Sequence, residues 1–146
     1  MPNKRLTLEL VTPEKVAWSA PADFVVLPAV RGEMGVLPGH QSFLVRLGAG
    51  EVRISDGSEV RRFAVSGGFA EIKDDEISLF AETAETAETI DAERAKQALE
   101  KAKLVAAKPG LDPMQLAEME AAIRRAQVRL KVSRRTRVPP PHLPER

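Results

Sequence analysis

The spacing of apolar residues changes period once along this 146-residue chain, and that change constrains the fold more than any single motif. Up to about residue 82 the period is two. Leu6, Leu8 and Leu10 alternate with Thr7 and Glu9, as in a strand with one buried face. Phe24 to Leu27 is continuously apolar and suits a strand covered on both faces. Val52 and Ile54 alternate with Arg53, and Asp56-Gly57 supplies a tight hairpin turn into Glu59–Val65. Ile77, Leu79 and Phe80 make a last strand after the acidic turn Asp74-Asp75. Short strands at this spacing, about eight to ten of them, predict an all-β sandwich or barrel.

From about residue 90 the period is 3.6. Ala95, Ala98, Leu99, Ala102 and Ala106 form one stripe on a helix that runs to about Lys108, where Pro109-Gly110 ends it. Asp112 is placed to cap a second helix, with Pro113 at its first position and Gln115 completing a capping box. Leu116, Met119, Ile123, Ala126 and Leu130 continue at helical spacing, and Pro139-Pro140-Pro141 prevents further helix. The two stripes match in character, so the helices are expected to pair as an antiparallel hairpin. The domain reading is a β-sandwich over 1–83, a linker over 84–90, a helical hairpin over 91–137 and a proline-rich tail over 138–146. A two-helix hairpin buries only a narrow seam, so it needs the sandwich or a partner to be stable.

Charge divides along the same line. Residues 1–89 hold 9 Lys+Arg against 14 Asp+Glu, whereas residues 90–146 hold 13 against 7. Arg124, Arg125, Arg129, Lys131, Arg134, Arg135 and Arg137 form a run with no acidic residue between them. Nucleic acid is a poor partner for this run, because no aromatic side chains are interleaved for stacking and no reading motif is present. The absence of cysteine removes disulfides, thiolate metal sites and thiol nucleophiles. His40 and His142 are too far apart in sequence to suggest a metal site, and no phosphate-cradling loop or acid/base pair supports an enzyme. No apolar run approaches the ~18 residues of a membrane span, and the start of the chain lacks the apolar stretch of a signal peptide, so the expected compartment is the cytoplasm.

Three motifs occur in order: Gly32-Glu33-Met34-Gly35-Val36-Leu37-Pro38-Gly39-His40, then Val65-Ser66-Gly67-Gly68-Phe69-Ala70-Glu71, then Ile90-Asp91-Ala92-Glu93-Arg94-Ala95. On its own the first is a sharply shaped loop between strands, and His40 reads as a structural histidine. Together they resemble the epsilon subunit of F-type ATP synthases over nearly the whole chain, the first two motifs being specific to that family. The resemblance implies a ten-stranded sandwich followed by a helical hairpin. It also implies a non-catalytic rotor subunit, bound to the gamma subunit and seated on the ring of c subunits at the cytoplasmic face of the bacterial inner membrane, without inserting into it. By the same resemblance Arg31, Glu33 and His40 fall at the contact with the c-ring and gamma.

In many members of that family the hairpin is mobile. Folded against the sandwich it permits rotation, and extended into the catalytic head of alpha and beta subunits it blocks hydrolysis. Arg124, Arg125, Arg129, Arg134 and Arg135 would meet acidic segments of the head, or else they are solvated residues of an amphipathic helix. The segment 81–95, AETAETAETIDAERA, carries the other family feature. Some members bind regulatory ATP, not required as a cofactor, through I/L-D-x-x-R-A. Here the matching residues are Glu85, Ile90, Asp91, Arg94 and Ala95, with Lys101 where an arginine is usual; lysine keeps the charge but loses the fork. Asp91 could equally be a first-turn acid paired with Arg94. The alternative to a rotor subunit is a free-standing ATP-sensing module built on this segment. The period of three fits neither strand nor helix, which leaves disorder and a fixed turn both open for the repeats.

Overall fold

The computed structural model describes residues 4–135; Arg137 and the proline-rich tail over 138–146 lie outside the described residues. The elements are β1 (Leu6–Val11), β2 (Val16–Ala22), β3 (Phe24–Ala29), β4 (Gly32–Val36), β5 (Phe43–Asp56), β6 (Glu59–Lys73), β7 (Glu76–Ala81), β8 (Ala84–Thr86), α1 (Ala92–Ala106) and α2 (Pro113–Arg135). The strands hydrogen-bond in the order β2-β1-β7-β6-β5-β3-β4, with β8 added to β6. All pairings are antiparallel except β1 with β7.

One continuous sheet becomes two layers because its two longest strands bend together. In β5 the core residues are Leu47 and then Val52 and Ile54; in β6 they are Phe63 and Val65 and then Ala70 and Ile72. Residues on one face of a strand share parity, so each strand changes its inward face midway. The change occurs where Leu47 pairs with Gly68 and Ala49 with Ser66, a corner containing Gly48, Gly67 and Gly68. Gly67 and Gly68 have φ of 122° and 124°, a region closed to other residues at low cost. A Cβ on Gly68 would collide with the carbonyl oxygen of Phe80. Each bent strand therefore serves both layers, which is why eight strands form a sandwich that the family resemblance describes as ten.

The core of this sandwich takes alternate residues from seven strands, including Leu6, Leu8 and Leu10 of β1, all fully buried. The alternation read from the sequence for β1, and the doubly covered run in β3, are both present. The acidic turn between β6 and β7 has Asp74 and Asp75 at φ 51° and 63°. Asp75 also accepts from the Gly39 amide at 2.6 Å and thereby ties the turn after β4 to the far hairpin.

The AET repeats are ordered rather than slack. Ala84–Thr86 forms β8, and the threonine of each repeat has a bond. The Thr83 and Ser66 hydroxyls lie 2.6 Å apart. Thr89 Oγ1 accepts from the Thr86 amide at 3.0 Å and donates to the Thr86 carbonyl at 3.0 Å, closing a turn into the helices. Asp91 caps α1, its Oδ1 accepting from the Arg94 amide at 3.0 Å. The second cap is the expected reciprocal box: Asp112 accepts from the Gln115 amide at 2.8 Å and Gln115 from the Asp112 amide at 3.2 Å.

Helices α1 and α2 pack on each other, with Ala95 and Ala102 buried on α1 and Ala126 on α2. Ala98 of the expected α1 stripe is exposed, as is Leu116 on α2, so the seam is narrower than the spacing suggests. Helix α1 ends at Ala106, one turn before Gly110, which takes φ 87°.

The glycine corner makes a test of the fold. Gly68→Ala should destabilise the protein by at least about 2 kcal/mol, combining a positive φ with a backbone collision. Gly57→Ala, at φ 60° with no neighbour in the way, should cost only about 1 kcal/mol. Urea denaturation of the two variants separates them, and equal losses would contradict the corner's role.

Candidate functional site

The pairing register places three residues in a row across the outer face of the sandwich. Glu51 on β5 lies opposite Ala64 on β6, and Ala64 lies opposite Glu85 on β8. Their neighbours Val52, Phe63 and Val65 point into the core, so this row points away from it. Helix α2 covers the row with a matching one. Val132, fully buried, packs on Ala64 together with Ile90, Ala87 and Val128. Three residues to each side are arginines: Arg129 Nη2 donates to Glu85 Oε1 at 2.8 Å and Arg135 Nη1 donates to Glu51 Oε1 at 2.7 Å. An Arg-x-x-Val-x-x-Arg face thus meets a Glu–Ala–Glu row.

Glu51 is only 5% exposed, a rare position for a carboxylate without partners. Besides Arg135 it has Arg53 Nη1 at 3.3 Å and Arg62 Nε at 3.8 Å. Arg53 in turn holds Glu33 with two hydrogen bonds, at 2.9 and 3.1 Å, the fork geometry that makes arginine–carboxylate pairs strong. Three guanidinium groups therefore surround two carboxylates. Glu51 Oε2 and Arg62 Nε are buried without a hydrogen-bond partner within the protein. The hydrogen bonds and charge of Arg53 hold the Glu33 carboxyl below the ordinary glutamate range, with smaller help from Lys131 and Arg135 of α2. Glu33 reciprocally raises the Arg53 guanidinium.

The residues singled out from the sequence fall into separate groups. Glu33 lies on β4 at the sheet edge, turned to Arg53. Arg31 is exposed in the turn before it and makes no ion pair among the described residues. His40 is half-buried, its Nδ1 bonded to the Gln41 carbonyl at 2.7 Å. In the IDAERA segment, Ile90 is buried under α2, Asp91 is the cap and Ala95 lies at the helix seam. Arg94 and Lys101 are exposed two turns apart on α1. Arg124 and Arg125 line an open groove of ≈ 830 Å³ with Arg46, Phe69 and Glu82. Arg134 is exposed, whereas Arg129 and Arg135 are engaged with the sandwich.

Sequence reasoning missed Glu51, Arg53 and Arg62. A signal was available: counting back from the Asp56-Gly57 turn pairs Arg53 with Arg62 and Glu51 with Ala64. Two facing arginines beside a glutamate on an otherwise outward face call for a further partner.

Two family models match in chain order. Residues 5–87 match the ATP synthase, Delta/Epsilon chain, beta-sandwich domain, and residues 88–134 match the long alpha-helix domain of the same chain. The chain belongs to the ATP synthase delta/epsilon family. The boundary between the two family domains falls inside the turn closed by Thr86 and Thr89. Among family members, the ATP synthase epsilon chain of Dehalococcoides mccartyi is 41% identical over 136 residues, covering 93% of this chain and 97% of the relative. That of Moorella thermoacetica is 46% identical over 132 residues, covering 88% and 96%. A chain in the OSCP/F1/c-ring structure of the Euglena gracilis mitochondrial ATP synthase superposes with TM-score 0.77 at 26% identity, covering 90% of this chain and 81% of that one. A chain of the Tetrahymena thermophila central stalk/c-ring structure, at 17% identity, TM-score 0.58 and coverage of 94% and 100%, shares the fold.

The Glu33–Arg53 pair gives a titration test. Because the folded-state value of Glu33 is lowered, its stabilisation is complete above the ordinary glutamate range and fades as pH falls through the lowered value. With the carboxylate 56% exposed, solvent screening limits it to about 1 kcal/mol at most. Carboxyl ¹³C NMR should show Glu33 titrating below the ordinary glutamate range, and Arg53→Leu should raise its midpoint towards that range. A midpoint that does not move in Arg53→Leu would refute the pair.

Proposed function

We propose that this chain is the epsilon subunit of an F-type ATP synthase, a non-catalytic part of the central stalk that joins the gamma subunit to the c-ring. The observation that carries it is the match of both family domains, in order, across residues 5–134. The Euglena neighbour comes from an OSCP/F1/c-ring assembly, which supports the c-ring and catalytic head as partners. Attachment to the membrane is then peripheral and through those partners, since no helix of the described residues is long and apolar enough to cross a membrane. Bacterial relatives support the cytoplasmic face of the inner membrane.

Two surfaces suit the stalk role. Phe69 and Phe80, paired across β6 and β7 with ring centroids 5.1 Å apart, are half exposed on the outer face. Leu44, 68% exposed, lies on the same strand and face as Arg46, the cross-strand partner of Phe69, and the group suits the gamma subunit. Arg31, Glu33 and His40 lie on or beside β4 at the sheet edge, and in this proposal that edge faces the c-ring.

The hairpin is the regulatory part in this reading. Its docking by Arg129, Val132 and Arg135 uses contacts that a basic helix could instead offer to acidic segments of the alpha/beta head. Regulatory ATP would be held by Arg94 and Lys101 on α1, with Ile90, Asp91 and Ala95 shaping the helix start. Glu85 could join only after exchanging its bond to Arg129.

Expression with the remaining synthase subunits should co-purify the chain with gamma, and deletion of residues 90–146 should raise ATP hydrolysis by the membrane complex. A chain that never associates rejects the stalk role, and unchanged hydrolysis rejects the brake. Separately, isothermal calorimetry should give ATP binding that is lost in an Asp91→Ala/Arg94→Ala double variant. Equal heats would dismiss the nucleotide site.

A further inference from the structure

The ion pairs at the junction are continuous from the sheet edge to the end of α2. Glu33, on the edge strand β4, has a side chain 56% exposed to solvent. Arg53 bridges it to Glu51, bonding both carboxylates through the same Nη1, at 3.1 and 3.3 Å. Glu51 carries Arg135 of α2 at 2.7 Å on that same Oε1. We propose that this chain of charges makes Glu33 a release point for the hairpin: a basic side chain of a partner protein that occupies the Glu33 carboxylate loosens α2 from the sandwich. The proposal rests on reading the hairpin as a moving part, but it concerns residues and a coupling that the stalk role does not itself supply.

The direction follows from charge balance. Arg53, Arg62 and Arg135 together exceed Glu33 and Glu51 by one positive charge. A cation drawn to Glu33 neutralises a carboxylate that otherwise compensates Arg53 and that also attracts Lys131 and Arg135. Arg53 is then left to Glu51, whose Oε2 has no partner within the protein. Arg135 must share one carboxylate with two other guanidinium groups and is repelled by both. Its hold weakens, and the i−6 contact at Arg129 remains as the only ion pair of α2 with the sandwich among the described residues. Linkage makes the effect reciprocal: a docked hairpin lowers the affinity of Glu33 for a cation by the same factor.

The second feature that suits a release point is the placement of the apolar seat. Val132 is 0% exposed and packs on Ala64 between the two ion pairs, so it becomes accessible only when α2 lifts. The chain has no cysteine, so a Val132→Cys substitution introduces a single thiol. Its labelling rate by a small thiol reagent, measured on the full chain in native buffer, reads the open population even when that population is small.

In this background Glu33→Gln, which removes the carboxylate charge as an engaged cation would, should raise the labelling rate about two- to five-fold. The increase should shrink at high salt, where Coulombic coupling is screened. Adding Arg53→Gln to Glu33→Gln restores the charge balance and should return the rate towards that of the parent. Arg135→Gln alone should raise the rate as well. A Glu33→Gln rate equal to the parent, or a double variant that stays as fast as Glu33→Gln, overturns the coupling. Because the measurement uses the isolated chain, it fails or succeeds independently of the hydrolysis and co-purification results.

Discussion

A buried carboxylate organises this molecule. Glu51 sits on the outer face of a strand, yet α2 covers it so that its side chain is 3% exposed. Removing an ionised carboxylate from water costs several kcal/mol unless opposite charge and hydrogen bonds replace the lost hydration. Arg53 and Arg62 are supplied by the sheet itself, and Arg135 arrives with the helix. The sandwich alone therefore presents Glu51 solvated and partly neutralised, and the helix can cover it only by bringing its own arginine. This is a requirement on register as much as on affinity. Sliding α2 by one turn would bury Glu51 without Arg135 and Glu85 without Arg129, and each misplacement leaves an uncompensated charge.

The row that receives the helix exists because of the glycine corner. Beyond Gly67 and Gly68 the inward parity of β6 reverses, so Ala64 faces out although Ala70 faces in. The same bend lets one strand pair with β7 on one side of the corner and β8 on the other. Strand β8 supplies Glu85, and its short length follows from the threonine-closed turn that begins at Thr86. The repeated AET triplet thus does three jobs in sequence: a hydroxyl tie to β6 at Thr83, a strand carrying Glu85, and a turn that launches α1 from Asp91.

Local features were legible in the sequence and relational ones were not. Alternation exposed β1, an unbroken apolar run exposed β3, and the Asp112/Gln115 box appears as read, because each depends on neighbours a few residues apart. Sequence alone turns the arginines of α2 outward, to a partner or to solvent, since nothing local says that Arg135 meets a glutamate 84 residues earlier. Ala98 looked like part of the helix seam because period alone cannot say how wide a contact a small-residue stripe will make. The IDAERA segment resembled a ligand motif, and the structure gives Ile90, Asp91 and Ala95 work in seating, capping and packing. These jobs do not compete with a nucleotide for Arg94 and Lys101, whose side chains are exposed.

The make-up of the junction also fits the proposal that the hairpin moves. A purely apolar seat of this size would gain from every buried methyl group without any cost of desolvating charge. Here the burial of Val132 on Ala64 is combined with ion pairs whose Coulombic gain is largely offset by desolvation. Were α2 to leave as proposed, Glu51 and Glu85 would recover hydration and Arg129 and Arg135 would be free for another acidic surface. The ionic part of the junction therefore contributes selection of one docked register more than depth of binding. A small change in charge, made at the exposed end of the network, is then large relative to what holds the hairpin down.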